Sequence, residues 1–306
     1  MAQPALSSLS AGAVFDGASR TIRPVIGAPG AAYLAAPSVT NVDFASVAPN
    51  GRTALAVIDG ILTVLRLGQD SAGAMSLREA NPASVLVVWA ATSSTAIVYD
   101  KDRHSLQQLR NLSDYPAQVD FPDFAALNGD ISTLASDASG DRAVVGLANG
   151  SDAGLYLFST TRPAARISDL TDVSAAIFSA SGDRVFLADG ATGAVGELRR
   201  IDSLPEFVPF ESLDADAAPT GMALAVSGTR LYIGGKTLPA LYTYDTATGA
   251  KSGQMTLDTA TETFVPMAQP GLYSVNRRRT GGDVLYVLNA ASADPQIRFV
   301  PAGDPQ

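Results

Sequence analysis

Pro49-Asn50-Gly51-Arg52, Ser139-Gly140-Asp141-Arg142, Ser181-Gly182-Asp183-Arg184 and Ser227-Gly228-Thr229-Arg230 are four versions of one turn. Their glycines lie 89, 42 and 46 residues apart, and the first gap is about two of the others. Each turn stands between two short apolar runs. A constant period in the forties, with a turn at a fixed place in each unit, marks a repeat array. One unit cannot bury its apolar face alone, so neighbours stack to cover it.

Working outward from these turns gives six units. The first takes in 42–47, 54–58, 61–65 and 75–78. The second has 84–90, 96–99 and 105–109, with Ser93-Ser94 in place of the glycine turn. The third has 131–135, 143–147, 154–158 and 165–167, and the fourth 173–178, 184–188, 194–198 and 207–210. The fifth has 222–226, 230–233, 241–244 and 254–257, and the sixth 264–267, 272–276, 284–288 and 297–300. Runs this short, rich in Val, Ile, Leu, Tyr and Phe and bounded by Gly, Asp, Asn and Ser, read as strands. The second run of a unit is almost continuously apolar (Val144, Leu147, Phe186, Leu187, Tyr232, Ile233), as in a strand covered on both faces. The fourth is more polar, which fits an outer strand.

Four antiparallel strands at this period predict an all-β chain with the blade pattern of a β-propeller. The N-terminal stretch adds 13–15, 21–26 and 31–34, with turn chemistry at Asp16-Gly17 and Ser19. Seven blades, one of them short, are therefore favoured over six with an appended hairpin. The hairpin would leave Val14, Phe15, Val25 and Ile26 poorly covered. One propeller domain over 11–301 is expected, with loose ends at 1–10 and 302–306.

Composition removes several function classes. With 46% hydrophobic and 17% charged residues among 306, the chain has ample apolar surface to bury. A formal net charge of -9 argues against nucleic acid as a partner. The absence of Cys excludes disulfides and thiolate metal sites. No apolar run approaches the roughly 20 residues that span a bilayer. Ala2-Gln3-Pro4 after Met1 has the form of a mature end left by signal cleavage, so a secreted or periplasmic location is expected, with the cytoplasm as the alternative. A monomer is expected.

The stretch Pro219-Thr220-Gly221-Met222, continuing through Ser227-Gly228-Thr229-Arg230-Leu231-Tyr232-Ile233 to Asp245-Thr246-Ala247-Thr248-Gly249, resembles the YVTN-type, WD40-like β-propeller repeat. That pattern has a Pro-x-Gly start, a Gly-x-Arg/Lys turn, a Leu-Tyr-Val strand and an Asp-x-x-Thr-Gly hairpin. The third and fourth units resemble it more loosely. The resemblance implies a binding scaffold, with lactonases and quinoprotein-like enzymes among related seven-bladed proteins. Its matched residues are structural, so it supplies no catalytic residue.

Few residues point to chemistry. His104, the single histidine, sits in the charged tip Asp100-Lys101-Asp102-Arg103-His104, where a solvated turn residue is the simpler reading. No Gly-x-Ser-x-Gly elbow is present. Asp120 with Asp123, Asp169 with Asp172, and Asp214 with Asp216 are where an oxygen-ligated Ca²⁺ would be sought, although acidic residues are also ordinary turn formers. No cofactor is predicted. The glycines of Gly190-Ala191-Thr192-Gly193 lie between two strands and read as a hairpin tip. Arg277, Arg278 and Arg279 form the one strong cation cluster, able to grip a carboxylate or phosphate, or else simply a soluble hairpin tip. Trp89, the lone Trp, falls in an innermost run, where it stacks either on a ligand or between blades. Asn111-Leu112-Ser113 and Asn149-Gly150-Ser151 match the glycosylation sequon.

The leading expectation is a non-catalytic propeller that binds a protein or small ligand through loops at one face of its channel. The alternatives are a carboxylate-dependent hydrolase of lactonase type, with or without a divalent cation, and a structural module of a cell-surface assembly.

Overall fold

The computed structural model describes residues 10–28, 30–68, 73–261, 263–276, 278, 280–281, 283–291 and 294–301. It is the seven-bladed, all-β propeller expected from the turns, with a short N-terminal blade. The chain runs through seven antiparallel meanders in order. β1 (Ser10–Asp16), β2 (Thr21–Ile26) and β3 (Tyr33–Leu34) form a three-stranded first sheet. The second sheet holds β4 (Phe44–Val47), β5 (Thr53–Ile58), β6 (Ile61–Arg66) and β7 (Gly73–Glu79). The third holds β8 (Val85–Trp89), β9 (Ala96–Asp100), β10 (Ser105–Arg110) and β11 (Ala117–Asp120). The fourth holds β12 (Asp130–Ser136), β13 (Arg142–Ala148), β14 (Gly154–Ser159) and β15 (Ala165–Ser168). The fifth holds β16 (Val173–Phe178), β17 (Arg184–Asp189), β18 (Val195–Arg199) and β19 (Glu206–Pro209). The sixth holds β20 (Pro219–Leu224), β21 (Arg230–Gly235), β22 (Ala240–Asp245) and β23 (Lys251–Thr256). The seventh holds β24 (Val265–Pro266), β25 (Leu272–Ser274), β26 (Leu285–Asn289) and β27 (Gln296–Val300). No α-helix occurs among the described residues; Pro122–Ala126 and Ala215–Ala217 are short 3₁₀ turns.

The repeated turn has one geometry. Gly51, Gly140, Gly182 and Gly228 all take φ between 68° and 83°, a region open to glycine because it lacks Cβ. Their N–H groups donate back to Ala48, Asp137, Ser179 and Ala225. In the third sheet Ser93 holds the same place, with φ 61° and its N–H on Ala90 O. The turn therefore survives where the glycine does not, at the cost of a serine in the left-handed region.

Burial follows strand position. β5, β9, β13, β17 and β21 are buried almost throughout, whereas β7, β11, β15, β19 and β23 are largely exposed. β11 is a strand that apolar content does not announce: of Ala117-Gln118-Val119-Asp120 only Val119 is bulky and apolar, and pairing with β10 makes it a strand.

The chain divides into two compact units, 1–82 with 265–306, and 83–264. In the 83–264 unit, apolar layers fill the spaces between successive sheets. Phe121, Phe124, Val145 and Phe158 lie in one layer, Val144, Leu157, Val185 and Leu187 in a second, and Phe186, Leu213, Leu231 and Tyr242 in a third. In the other unit, Ala11, Val14, Val25 and Leu34 of the first sheet pack with Leu272, Leu285, Val287 and Val300 of the seventh. Ile22 packs with Val47, Ala54 and Leu65 of the second sheet. The first sheet thus covers the apolar residues that a loose hairpin would expose.

A second repeat accompanies the turns. In three consecutive sheets the pairing of the first strand, β12, β16 or β20, shifts register: between Ile131 and Thr133, between Val173 and Ala175, and between Pro219 and Gly221. The residues at these bulges are Ser132, Ser174 and Thr220, spaced by the same 42 and 46 steps as the glycines. Ser132 Oγ donates to Val173 O at 2.7 Å and Thr220 Oγ1 to Thr261 O at 2.9 Å. A bulge re-aims a side chain out of the pleat, and here the hydroxyls of Ser132 and Thr220 satisfy backbone carbonyls of neighbouring segments.

Candidate binding site

The Ser132 bulge lies next to an open recess in the 83–264 unit. By bonding Val173 O, it ties the start of β12 to the start of β16. Beside that tie, the β13–β14 loop and the residues leading into β16 border an open recess of about 660 Å³, lined by Ala148, Asn149, Gly150, Ser151, Ala153, Thr171 and Asp172.

Local chemistry fixes its walls. Asn149 adopts φ 58°, a left-handed value that Asn tolerates better than most residues. A Cβ at Gly150 would lie 2.2 Å from Asn128 O, so only glycine fits. Asp152 clamps this loop to the segment before β12: its carboxylate accepts the Asn128 N–H at 2.8 Å, and its own N–H donates to Asn128 O at 3.2 Å. On the other wall, Asp172 O accepts the Gly190 N–H at 2.7 Å. The recess offers an amide (Asn149), two hydroxyls (Ser151, Thr171) and a carboxylate (Asp172), a donor and acceptor set suited to a polar ligand.

A second recess, of about 320 Å³, lies between the 3₁₀ turn Pro122–Ala126 and the β14–β15 connection. Phe124 anchors that turn, with ring centroids 5.6 Å from Tyr99 and 5.7 Å from Phe158. The polar groups here are occupied by the protein. Asp120 accepts Gln107 Nε2 at 2.9 Å, Asp123 accepts the Ala164 N–H at 2.8 Å, and Arg162 donates to Asp202 at 3.0 Å. These contacts brace a hairpin.

The residues singled out by sequence do not meet in either recess, apart from Asp172, Asn149, Asp120 and Asp123. Trp89 is half-buried at the finish of β8, beside the Ala90–Thr95 turn, whereas the first recess forms where first strands begin. Arg278 is buried. Its guanidinium bonds Asp16 Oδ2 at 2.6 Å and the backbone carbonyl of Asp283 at 2.6 Å. Arg277 and Arg279 lie outside the described residues. His104 is more than a solvated turn residue: its Nε2 is 2.9 Å from Leu127 O and its ring lies 5.0 Å from that of Phe124. The carbonyl can only accept, so Nε2 carries the proton. Asp169 pairs with Arg166 at 3.1 Å. Among the described residues, no three His, Asp or Glu side chains converge as a metal site. Asp189 accepts the N–H groups of Ala191 and Thr192, which makes the Gly190–Gly193 stretch a hairpin tip. Ser151 is noticed in the sequence only as part of the Asn149 sequon, and Thr171 not at all, because a single hydroxyl residue in a loop carries no pattern.

No protein-family model and no curated protein matches the sequence. Solved structures do match in fold. A candidate 6-phosphogluconolactonase from Bacteroides fragilis NCTC 9343 superposes with a TM-score of 0.65 at 10% identity, covering 98% of each chain. A functionally unknown protein from Desulfotomaculum acetoxidans DSM 771 gives 0.61 at 10% identity, covering 95% of this chain and 99% of that one. The β-propeller domain of Cps50 (Swd1) from Myceliophteria thermophila gives 0.57 at 12% identity, covering 98% and 100%. At these identities the likeness establishes the propeller fold and nothing finer.

Proposed function

We propose that this protein is a non-catalytic propeller scaffold of the YVTN type that binds a polar ligand through the recess at Asn149, Ser151, Thr171 and Asp172. One observation carries the reading: loops beside the start of the first strands border an open recess of about 660 Å³ with an amide, hydroxyls and a carboxylate. The Gly228 turn and the Asp245–Gly249 hairpin support the YVTN assignment. Asp245 Oδ1 accepts the N–H groups of Ala247 and Thr248 and the Thr248 hydroxyl, which gives the Asp-x-x-Thr-Gly residues of that repeat a structural purpose.

The test is a calorimetric and thermal-shift screen of the full chain against sugars, sugar acids and lactones, with turnover assayed in parallel. Saturable binding that Asp172→Asn or Thr171→Val weakens, without turnover, supports the proposal. Turnover of a lactone or glycoside that one Asp or Glu substitution abolishes overturns it in favour of the carboxylate-dependent hydrolase. Binding indifferent to Asp172 and Thr171 moves the site elsewhere.

A further inference from the structure

Three Asn-Gly pairs occur in the chain, at Asn50-Gly51, Asn128-Gly129 and Asn149-Gly150. Asn-Gly is the dipeptide most prone to self-modification, because glycine leaves its backbone nitrogen unhindered for attack on the preceding amide. All three asparagines are exposed, so accessibility does not separate them. Their backbones do.

At the first pair, the Gly51 N–H is bonded to Ala48 O at 2.8 Å and Asn50 Oδ1 accepts the Arg52 N–H at 2.8 Å, which locks both nucleophile and electrophile. At the second, Asn128 is held on both sides by Asp152, through its N–H at 2.8 Å and its carbonyl at 3.2 Å. That carbonyl belongs to the peptide plane that must rotate for Gly129 N to reach Asn128 Cγ. At the third, no hydrogen bond joins the Asn149 side chain or the Gly150 N–H to another described residue. Both residues are exposed and lie in the loop between β13 and β14.

We propose that Asn149 is a selective self-modification site, converted to aspartate and isoaspartate in the folded protein. The Gly150 nitrogen attacks Asn149 Cγ, a C–N bond forms, and the Cγ–Nδ2 bond breaks. The proton lost from the Gly150 nitrogen leaves with Nδ2 as ammonia. Water then opens the resulting succinimide at either carbonyl, giving the aspartyl or isoaspartyl product. Nothing is oxidised or reduced. The fold itself imposes the reactive pair: Asn128 O excludes any Cβ at 150, and the left-handed backbone at 149 favours Asn. The product carries one more negative charge, in the wall of the recess that Asp172 shares. The inference depends on the loop's chemistry and not on what the recess binds.

The experiment incubates the native full chain in mildly alkaline buffer and follows acidic species by ion exchange and each Asn-Gly peptide by mass. The same chain in denaturant gives the reference rate for all three pairs. Conversion at 149 close to the denatured rate, with strong suppression at 50 and 128, is the expected result. Asn149→Gln, which removes the favourable five-membered ring, should abolish the acidic species from this peptide, with a small fall in melting temperature because glutamine takes the left-handed backbone less readily. Suppression at all three sites in the folded state, or faster conversion at 50 or 128 than at 149, would overturn the proposal.

Discussion

Asp16 and Arg278 are 262 residues apart in sequence, yet Arg278 Nη1 donates to Asp16 Oδ2 at 2.6 Å, with side-chain exposures of 7% and 1%. A parallel bridge joins the same two backbones. Arg23 approaches the same carboxylate at 3.6 Å. The first and seventh sheets are therefore tied by a buried ion pair as well as by their apolar layer. Removing one member of such a pair leaves the other charged and buried, at about 3–5 kcal/mol. Arg278→Ala should lose about that much in urea unfolding, and Asp16→Asn/Arg278→Ala should lose less than the sum of its single changes. Strict additivity would show that the contact carries no coupling energy.

Gly140 and Gly228 share a backbone but not a neighbourhood. A Cβ at 228 would meet nothing within 4 Å, whereas one at 140 would lie 2.4 Å from Thr95 Cγ2. Gly228→Ala should therefore cost only the left-handed penalty of about 1–2 kcal/mol. Gly140→Ala should cost more, and adding Thr95→Ser, which removes the obstructing methyl, should recover part of the difference, since Thr95 Cβ and Ala90 Cβ stay within 3.2 Å. Equal losses at 140 and 228 would mean the turn yields without strain.

Tyr244 is fully buried, and its hydroxyl has no hydrogen-bond partner among the described residues. Burial, reinforced by Glu211, Tyr242 and Asp214, pushes its ionisation far above the ordinary tyrosine range. Tyr244→Phe removes a desolvated polar group and keeps the ring, so stability should hold or rise by about 1 kcal/mol. Tyr244→Ala should cost about 3–5 kcal/mol. A clear loss in the Phe variant would reveal a partner for the hydroxyl.

Asp183 sits in the repeated turn, where the Ser181 hydroxyl, and then that of Ser179 at 2.9 Å, hold its carboxyl below the ordinary value of 3.8. A depressed carboxylate contributes its stability above the unfolded pKa and loses it as pH falls through the folded one. The contribution is therefore complete above about pH 3.8 and fades only in stronger acid. It is small, because this side chain is 67% exposed. Ser181→Ala should shift the carboxyl titration upward in NMR. An unmoved midpoint would assign the depression to another cause.

How much of this was legible follows from where the information lies. The turns could be read because a left-handed glycine is a local requirement, repeated at a steady step. β11 could not, since its partner strand β10 rather than its own apolar content makes it a strand. The bulge hydroxyls at Ser132, Ser174 and Thr220 kept the glycines' step and were open to detection, but Ser and Thr are common enough to hide a period. Arg278 reads in the sequence as either a ligand-gripping cation or a soluble hairpin tip, because its buried partner Asp16 is remote in sequence. The Asn149 recess is made of residues that suit any solvated loop, and only the approach of two distant segments turns them into a wall.

The split composition of the 1–82 and 265–306 unit bears on how the protein is made. Residues 83–264 leave the ribosome as an unbroken stretch, and the three apolar layers described for that unit are built from residues within it. The other unit begins first and finishes last: Ala11, Val14 and Val25 await Leu272, Leu285 and Val300. A polypeptide stalled before 265 should hold a protease-resistant middle and a protease-sensitive front, although the front was synthesised first.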